Sequence, residues 1–155
     1  SKTIKIMDTA SNPKLNVSIP ATLEAGKYYT VFTYDTLATP KFKLVNDDIQ
    51  QPSDTSSRIR FANLVQAPIT NVEIYSQNGK ANVFSNIAST DVTPFKQYPS
   101  KLIDTFYVRS TGSVVNLATL IFTPGEKRSY TVLFKGRFTT TSGTLVRTLT
   151  LMTNY

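Results

Sequence analysis

Tyr29-Thr30-Val31 and Tyr130-Thr131-Val132 are the same tripeptide, written twice in one chain about 100 residues apart. Each is preceded by a short turn, Gly26-Lys27 in one place and Gly125-Glu126-Lys127 in the other. Further upstream each has a Ser-Lys start, Ser1-Lys2 or Ser100-Lys101, and an extended stretch holding Asn16 or Asn116. Downstream each runs through a loop into a last strand that alternates polar and apolar residues. A spacing the size of a small domain predicts two copies of one module. Residues 58–99 form a front half for the second copy, and the stretch from Ser1 has no counterpart to it. The expected organisation is therefore a back half over 1–48, a linker over 49–57 and a complete module over 58–155. On this reading the chain opens part-way through its first module.

The composition agrees with a β fold. Apolar residues make up 40% and aromatic residues 11% of 155 residues, enough to build a core and to argue against disorder. Thr, Val, Ile, Tyr and Phe dominate, and no window carries a helical apolar period. No apolar stretch is long enough to cross a bilayer as a helix. The chain has no Cys and no His. Disulfides, thiolate metal sites and thiol nucleophiles are thereby excluded, as are imidazole bases and Ser-His-Asp triads. The net charge of +7 comes from 17 Lys and Arg against 10 Asp and Glu. The basic residues are scattered, with no run longer than Lys127-Arg128, and no nucleic-acid motif accompanies them.

Short strands follow one another along the chain. Residues 27–34 and 41–46 read as a hairpin joined by a loop over 35–40. Ile49–Ser57 is polar and broken by Pro52, a linker composition. Arg58-Ile59-Arg60-Phe61 restarts with period-two alternation, which places both Arg on one face and Ile59 and Phe61 on the other. Gln66–Thr70, around Pro68, reads as a turn. Residues 71–76 precede Gln77-Asn78-Gly79-Lys80, where Asn-Gly predicts a tight return into a strand through Val83-Phe84. Residues 90–99, broken by Pro94 and Pro99, read as an edge strand or crossover. Strands over 102–109, 114–123, 128–138 and 144–153 complete the pattern. The expected fold is all-β: antiparallel, immunoglobulin-like or transthyretin-like sandwich modules in tandem.

Several of these stretches resemble one family. Arg58-Ile59-Arg60-Phe61-Ala62-Asn63, Ala67-Pro68, Val72-Glu73-Ile74-Tyr75 and Gly79 are similar to the opening of the DUF4397 module. Leu23-Glu24-Ala25-Gly26-Lys27, Tyr29-Thr30-Val31 and Lys43-Leu44-Val45-Asn46-Asp47-Asp48 are similar to its close. There are departures: Glu73 stands where the family has Asp, and Pro99-Ser100-Lys101 replaces a Pro-Ala-Gly turn. The resemblance implies an exported β-sandwich of Bacteroidetes-type surface proteins, outside the cell or in the periplasm. A lipid anchor upstream of this chain would hold it to the membrane. The family supplies no catalytic residues.

The candidate sites are few. Asp47, Asp48 and Asp54 are the one acidic cluster, and carboxylates are calcium ligands, but the spacing lacks the alternation of a dedicated calcium loop. Arg58 with Arg60, Lys135 with Arg137, and Lys41 with Lys43 each sit two apart on one strand face. The first two pairs are the candidate contacts for an anion or glycan, provided their strands are neighbours. The eight tyrosines offer rings for sugar stacking or, equally, ordinary half-buried strand positions. No cofactor is expected, and the expected role is non-catalytic: structural, adhesive or partner-binding. A carbohydrate-binding module is the alternative. Partners would be a protein or a glycan, with self-association through the incomplete first module.

Overall fold

The computed structural model describes residues 2–7, 16–36, 39–66 and 71–154. These contain strands and no helix, so the all-β expectation holds. The chain divides into two compact units, Ser1–Asp48 and Ile49–Tyr155.

The first unit is two hairpins. β1 (Lys2–Met7) pairs antiparallel with β2 (Asn16–Ala21), from Lys2 opposite Ala21 to Met7 opposite Asn16. β3 (Tyr28–Thr36) pairs antiparallel with β4 (Thr39–Asp47) along its whole length. The loop expected over 35–40 is shorter than that, because the ladder continues to Thr36 opposite Thr39. Pro40 does not break it. It stands opposite Asp35, one step from the Thr36–Thr39 pair, where an antiparallel ladder exchanges no hydrogen bonds and a missing N–H costs nothing. Leu37 and Ala38 lie outside the described residues.

The second unit is a sandwich of two four-stranded sheets. Its strands are β5 (Ser57–Asn63), β6 (Val72–Ser76), β7 (Ala81–Ile87), β8 (Lys96–Tyr98), β9 (Asp104–Ser110), β10 (Asn116–Phe122), β11 (Ser129–Lys135) and β12 (Thr148–Thr153). One sheet has the order β10-β9-β6-β7 and the other β12-β11-β5-β8. All ladders are antiparallel except β5 with β11, which run parallel with Tyr130 opposite Ile59 and Val132 opposite Phe61. Alternation buries Ile59, Phe61, Val72, Ile74, Phe106, Val108, Val132 and Phe134 between the sheets. Edge-to-face aromatic contacts join them: Phe106 to Phe122 at 5.0 Å and Phe122 to Tyr130 at 6.0 Å. The Pro-bearing segment supplies β8, a short edge strand, as expected. The last strand is shorter than predicted and starts at Thr148. The predicted turn at Gln66–Thr70, with its Ala67-Pro68, lies outside the described residues beyond Gln66.

Residues 49–57, expected as a linker, group with the second unit, and Ser57 is the first residue of β5. Named bonds hold the segment there. Arg58 Nη1 donates to the Gln50 carbonyl at 2.9 Å, Ser100 Oγ to that of Thr55 at 2.6 Å, and the Lys127 amide to that of Ser56 at 2.8 Å. Polar composition here marks a hydrogen-bonded surface segment rather than a free tether.

The order β1-β2-β3-β4 is matched by β9-β10-β11-β12, as two successive antiparallel hairpins. The Tyr29 hydroxyl accepts a bond from the Glu24 amide at 3.1 Å, and the Tyr130 hydroxyl accepts one from the Gly125 amide at 2.9 Å. A tyrosine that ties its ring back to backbone a few residues upstream is a known corner device of β-sandwiches. Next to it, Thr30 Oγ1 donates to Asp47 Oδ2, and Thr131 Oγ1 donates to Asn154 Oδ1. Left-handed backbone recurs at matching positions, Gly26 before β3 and Asp35 near its end, Lys127 before β11 and Gly136 just after it. The glycines of the two turns are therefore not equivalent: Gly26 corresponds to Lys127, not to Gly125.

Candidate functional site

A cluster of titratable and hydroxyl groups joins the two sheets at one end of the sandwich. Asp104 begins β9, Ser76 ends β6 beside it, and Tyr98 ends β8 in the opposite sheet. Asp104 Oδ1 accepts bonds from the Asn78 amide at 2.9 Å and the Thr105 amide at 2.6 Å. Oδ2 accepts from Ser76 Oγ at 2.5 Å and from the Tyr98 hydroxyl. Ser76 Oγ in turn accepts from the Gly79 amide at 2.7 Å, and a Cβ at Gly79 would stand 2.9 Å from that oxygen. The Asn-Gly turn predicted from the sequence is thus closed by a side chain, and glycine is required there for close approach.

The electrostatics follow from that geometry. Burial alone would raise the Asp104 carboxyl, but the bonds from Ser76, Tyr98 and the two amides outweigh it and hold it below its ordinary value. Burial, and then the bond to Asp104, hold the Tyr98 hydroxyl well above its usual value. The acid stays ionised and the phenol stays protonated across the neutral range. A cleft of about 250 Å³ opens beside them, floored by Val83, Pro99 and Leu102. Chemically the cluster is a clamp, since all its acceptors are taken up by groups of the fold. Nothing in the sequence pointed to it, because its members come from three separated segments and Asp104 stands alone in the chain.

A second cleft, of about 430 Å³, is lined by Gln50, Gln51, Ser53, Asp54, Arg58 and Gln97 among others. Asp54 accepts from the Ser56 hydroxyl at 2.5 Å, the Ser56 amide at 2.9 Å and Gln97 Nε2 at 2.6 Å. The bonds from the Ser56 hydroxyl and amide lower its carboxyl. The Arg58 guanidinium lies 5.2 Å from the centre of the Phe95 ring. Carboxamides, a hydroxyl, a carboxylate and a guanidinium give this cleft both donors and acceptors.

The residues proposed from the sequence are placed as follows. Arg58 and Arg60 share a face as expected, but Arg60, expected as a ligand contact, is only 1% exposed. Its guanidinium lies under Phe95, 4.6 Å from the ring centre, and its Nε donates to Thr131 Oγ1 at 2.8 Å. Alternation identified the outer face of β5 without revealing that Phe95 covers it. Lys135 is exposed at the end of β11, beyond the last residue paired with β5, and Arg137 Nε donates to Gln66 at 3.2 Å. The two basic pairs therefore lie toward opposite ends of the β5–β11 ladder and form no common stripe. Lys41 is ion-paired with Asp35 at 2.8 Å, which raises its ammonium; Lys43 stands two residues along. Asp47 is buried on Thr30, Asp48 is exposed, and among the described residues no three such groups gather in a way that would hold a metal.

The tyrosines divide by position. Tyr29 and Tyr130 are the corner residues, Tyr98 is in the clamp, Tyr28 is exposed and Tyr34 half-buried. Tyr155 lies outside the described residues. Tyr75 and Tyr107 face each other across β6 and β9 on the outer side of their sheet. Arg109 covers Tyr75 at 4.1 Å, and the Tyr107 hydroxyl donates to Gln77 at 2.6 Å.

With this geometry in view, comparison with known proteins adds a family. Residues 1–75 match the model of DUF4397, a domain of unknown function. The DUF4397 match includes the closing motif, from Leu23 to Asp48, and most of the opening motif, from Arg58 to Tyr75; Gly79 falls outside it. It thus runs from β1 into β6, across the division between the two units. No curated protein matches the chain.

Proposed function

We propose that this protein is a non-catalytic module whose role is structural, adhesive or partner-binding. The observation that carries this reading is the Asp104 clamp. The acid most embedded in the sandwich accepts four bonds, and its phenol neighbour is held protonated, so both are committed to joining two sheets. The cell-surface location that the DUF4397 resemblance implies belongs to the same proposal.

A second reading, a carbohydrate-binding module, is favoured by the polar cleft at Gln50, Asp54, Arg58 and Gln97. Its mix of donors and acceptors suits sugar hydroxyls better than a simple anion, because Asp54 would repel negative charge. A hydrolase substrate panel and a glycan array on the whole chain test both. We expect no turnover and no saturable glycan signal. Turnover abolished by Asp104→Asn would overturn the non-catalytic role. Glycan binding abolished by Gln97→Ala would replace the first reading by the second.

A further inference from the structure

The Asp104 clamp bears on the chemistry of the turn it closes. Asn78-Gly79 is the one Asn-Gly pair in the chain, and it lies exposed in the turn between β6 and β7. Asparagine followed by glycine is the pair most open to attack by the main chain on a side-chain amide. Glycine has no Cβ to obstruct the approach, and its backbone freedom lets its nitrogen reach the asparagine Cγ. The fold fixes glycine at this place for another reason, since a Cβ there would stand 2.9 Å from Ser76 Oγ. Close packing of the turn and chemical lability therefore meet in one dipeptide.

The same turn holds both reacting residues still. The Gly79 nitrogen, the nucleophile of such an attack, donates to Ser76 Oγ at 2.7 Å, and Ser76 Oγ donates to Asp104 Oδ2 at 2.5 Å. The Asn78 nitrogen donates to Asp104 Oδ1 at 2.9 Å. Attack requires the Gly79 N–H to give up its proton and the peptide between the two residues to rotate. A hydroxyl polarised by a carboxylate is a strong acceptor and keeps that proton in place. The two bonds together fix the nitrogens on either side of Asn78. The bond to Gly79 must break, and the turn must shift, before a ring can close.

We propose that Asn78 is a site of spontaneous deamidation and that the Ser76–Asp104 pair is its brake. The Gly79 nitrogen forms a bond to Asn78 Cγ, the Cγ–Nδ2 bond breaks, and the proton from Gly79 leaves with the amide as ammonia. Water then opens the resulting succinimide. Entry at Cγ gives aspartate, whereas entry at the main-chain carbonyl of residue 78 gives isoaspartate, with Gly79 now attached through Cγ. Either product carries a new carboxyl group on the residue whose nitrogen serves Asp104, and like charges brought close disfavour ionisation. Isoaspartate also lengthens the main chain by one carbon between the two nitrogens, so they no longer reach Ser76 and Asp104 together. Modification therefore loosens the join between β6, β8 and β9.

The test follows the whole chain in mildly alkaline buffer at body temperature. Tandem mass spectrometry of the tryptic peptide that ends at Lys80 locates the product, and an isoaspartate-specific methyltransferase counts the rearranged fraction. The free peptide Ser-Gln-Asn-Gly-Lys, residues 76–80, gives the unrestrained rate. Conversion at Asn78 is expected to be slowest in the wild type and about tenfold faster in Ser76→Ala, the scale of one lost hydrogen bond. Thr131→Val weakens the opposite sheet without touching the turn, and its rate should stay near that of the wild type. Converted protein, separated by charge, should unfold at lower urea than its parent. A wild type that reacts as fast as the free peptide, or no faster conversion in Ser76→Ala, would overturn the proposal. So would an equal acceleration by Thr131→Val, which would assign the reaction to general unfolding, or the absence of product at Asn78 in every form of the protein.

Discussion

The four strands of the first unit pair in sequence order as two hairpins, as do the last four of the second unit, and the two sets differ in how far they are buried. In the second unit Tyr130, Thr131 and Val132 are all buried, whereas their counterparts Tyr29, Thr30 and Val31 are each half-buried. The tripeptide is the same in both places, and its tyrosine and threonine hydroxyls bond to corresponding positions. What differs is the company: β11 lies between β12 and β5 under a second sheet, while β3 lies beside β4 alone among the described residues. Local sequence therefore sets the strand, its corner tyrosine and its bounding left-handed residues. Burial is set by strands contributed from elsewhere in the chain.

The clamp shows the same division. Lys2 opens β1 opposite Ala21, and Asp104 opens β9 opposite Phe122, so lysine stands where the second unit has the clamp's acid. Two of the clamp's side-chain partners, Ser76 and Tyr98, come from β6 and β8, which precede β9 in the chain. Asp104→Asn should have the largest effect, destabilising the protein by about 2–3 kcal/mol in urea unfolding at neutral pH. Because the folded carboxyl lies below its ordinary value, its contribution is fully present above the unfolded value of about 3.9. It is lost as pH falls through the lowered folded value. The wild type should therefore lose stability over that acid window, and the variant should lose less. An unchanged acid limb in the variant would mean that the clamp does not set the acid sensitivity.

The hydroxyl beside the tripeptide distinguishes the units more finely. Thr131→Val removes the acceptor of the buried Arg60 Nε and should cost about 1–3 kcal/mol, the desolvation penalty of a polar group left short of a partner. Thr30→Val removes the bond to Asp47 at a half-buried position and should cost about 0.5–1.5 kcal/mol. Both are read from the shift in urea midpoint at constant slope. Equal costs would break the comparison.

These contrasts explain what could be read from the residues alone. The alternation at Arg58–Phe61 placed Ile59 and Phe61 inward because period two fixes faces. It could not show that Phe95, from a stretch broken by prolines, would close over Arg60. The Asn-Gly turn was legible, but its Asp104 partner was not, since long-range pairing of a lone carboxylate leaves no local pattern. The linker composition of residues 49–57 concealed Asp54, which caps its own segment through Ser56 and Gln97. The likeness of the two tripeptide strands was legible, but aligning glycine with glycine put their turns out of step.

That misalignment leads to the smallest expected effect. Gly26 and Lys127 hold the same left-handed place before the two tyrosine strands, with φ of 74° and 56°. A side chain in that region costs about 1 kcal/mol, and glycine does not incur it. A Cβ at Gly26 would meet nothing within 4 Å, so Gly26→Ala tests backbone conformation alone and should destabilise by about 1 kcal/mol. Lys127→Gly should do the opposite and stabilise the protein by about 0.5 kcal/mol, because relief of strain is partly offset by the greater freedom of glycine in the unfolded chain. The Lys127 amide keeps its bond to Ser56 in either form, so lost hydrogen bonding does not enter. Opposite signs in the two melting shifts would show that the copies share their turn geometry while differing in the residue that occupies it. Shifts of the same sign would mean that Lys127 contributes through its side chain, and that the two turns are alike only in outline.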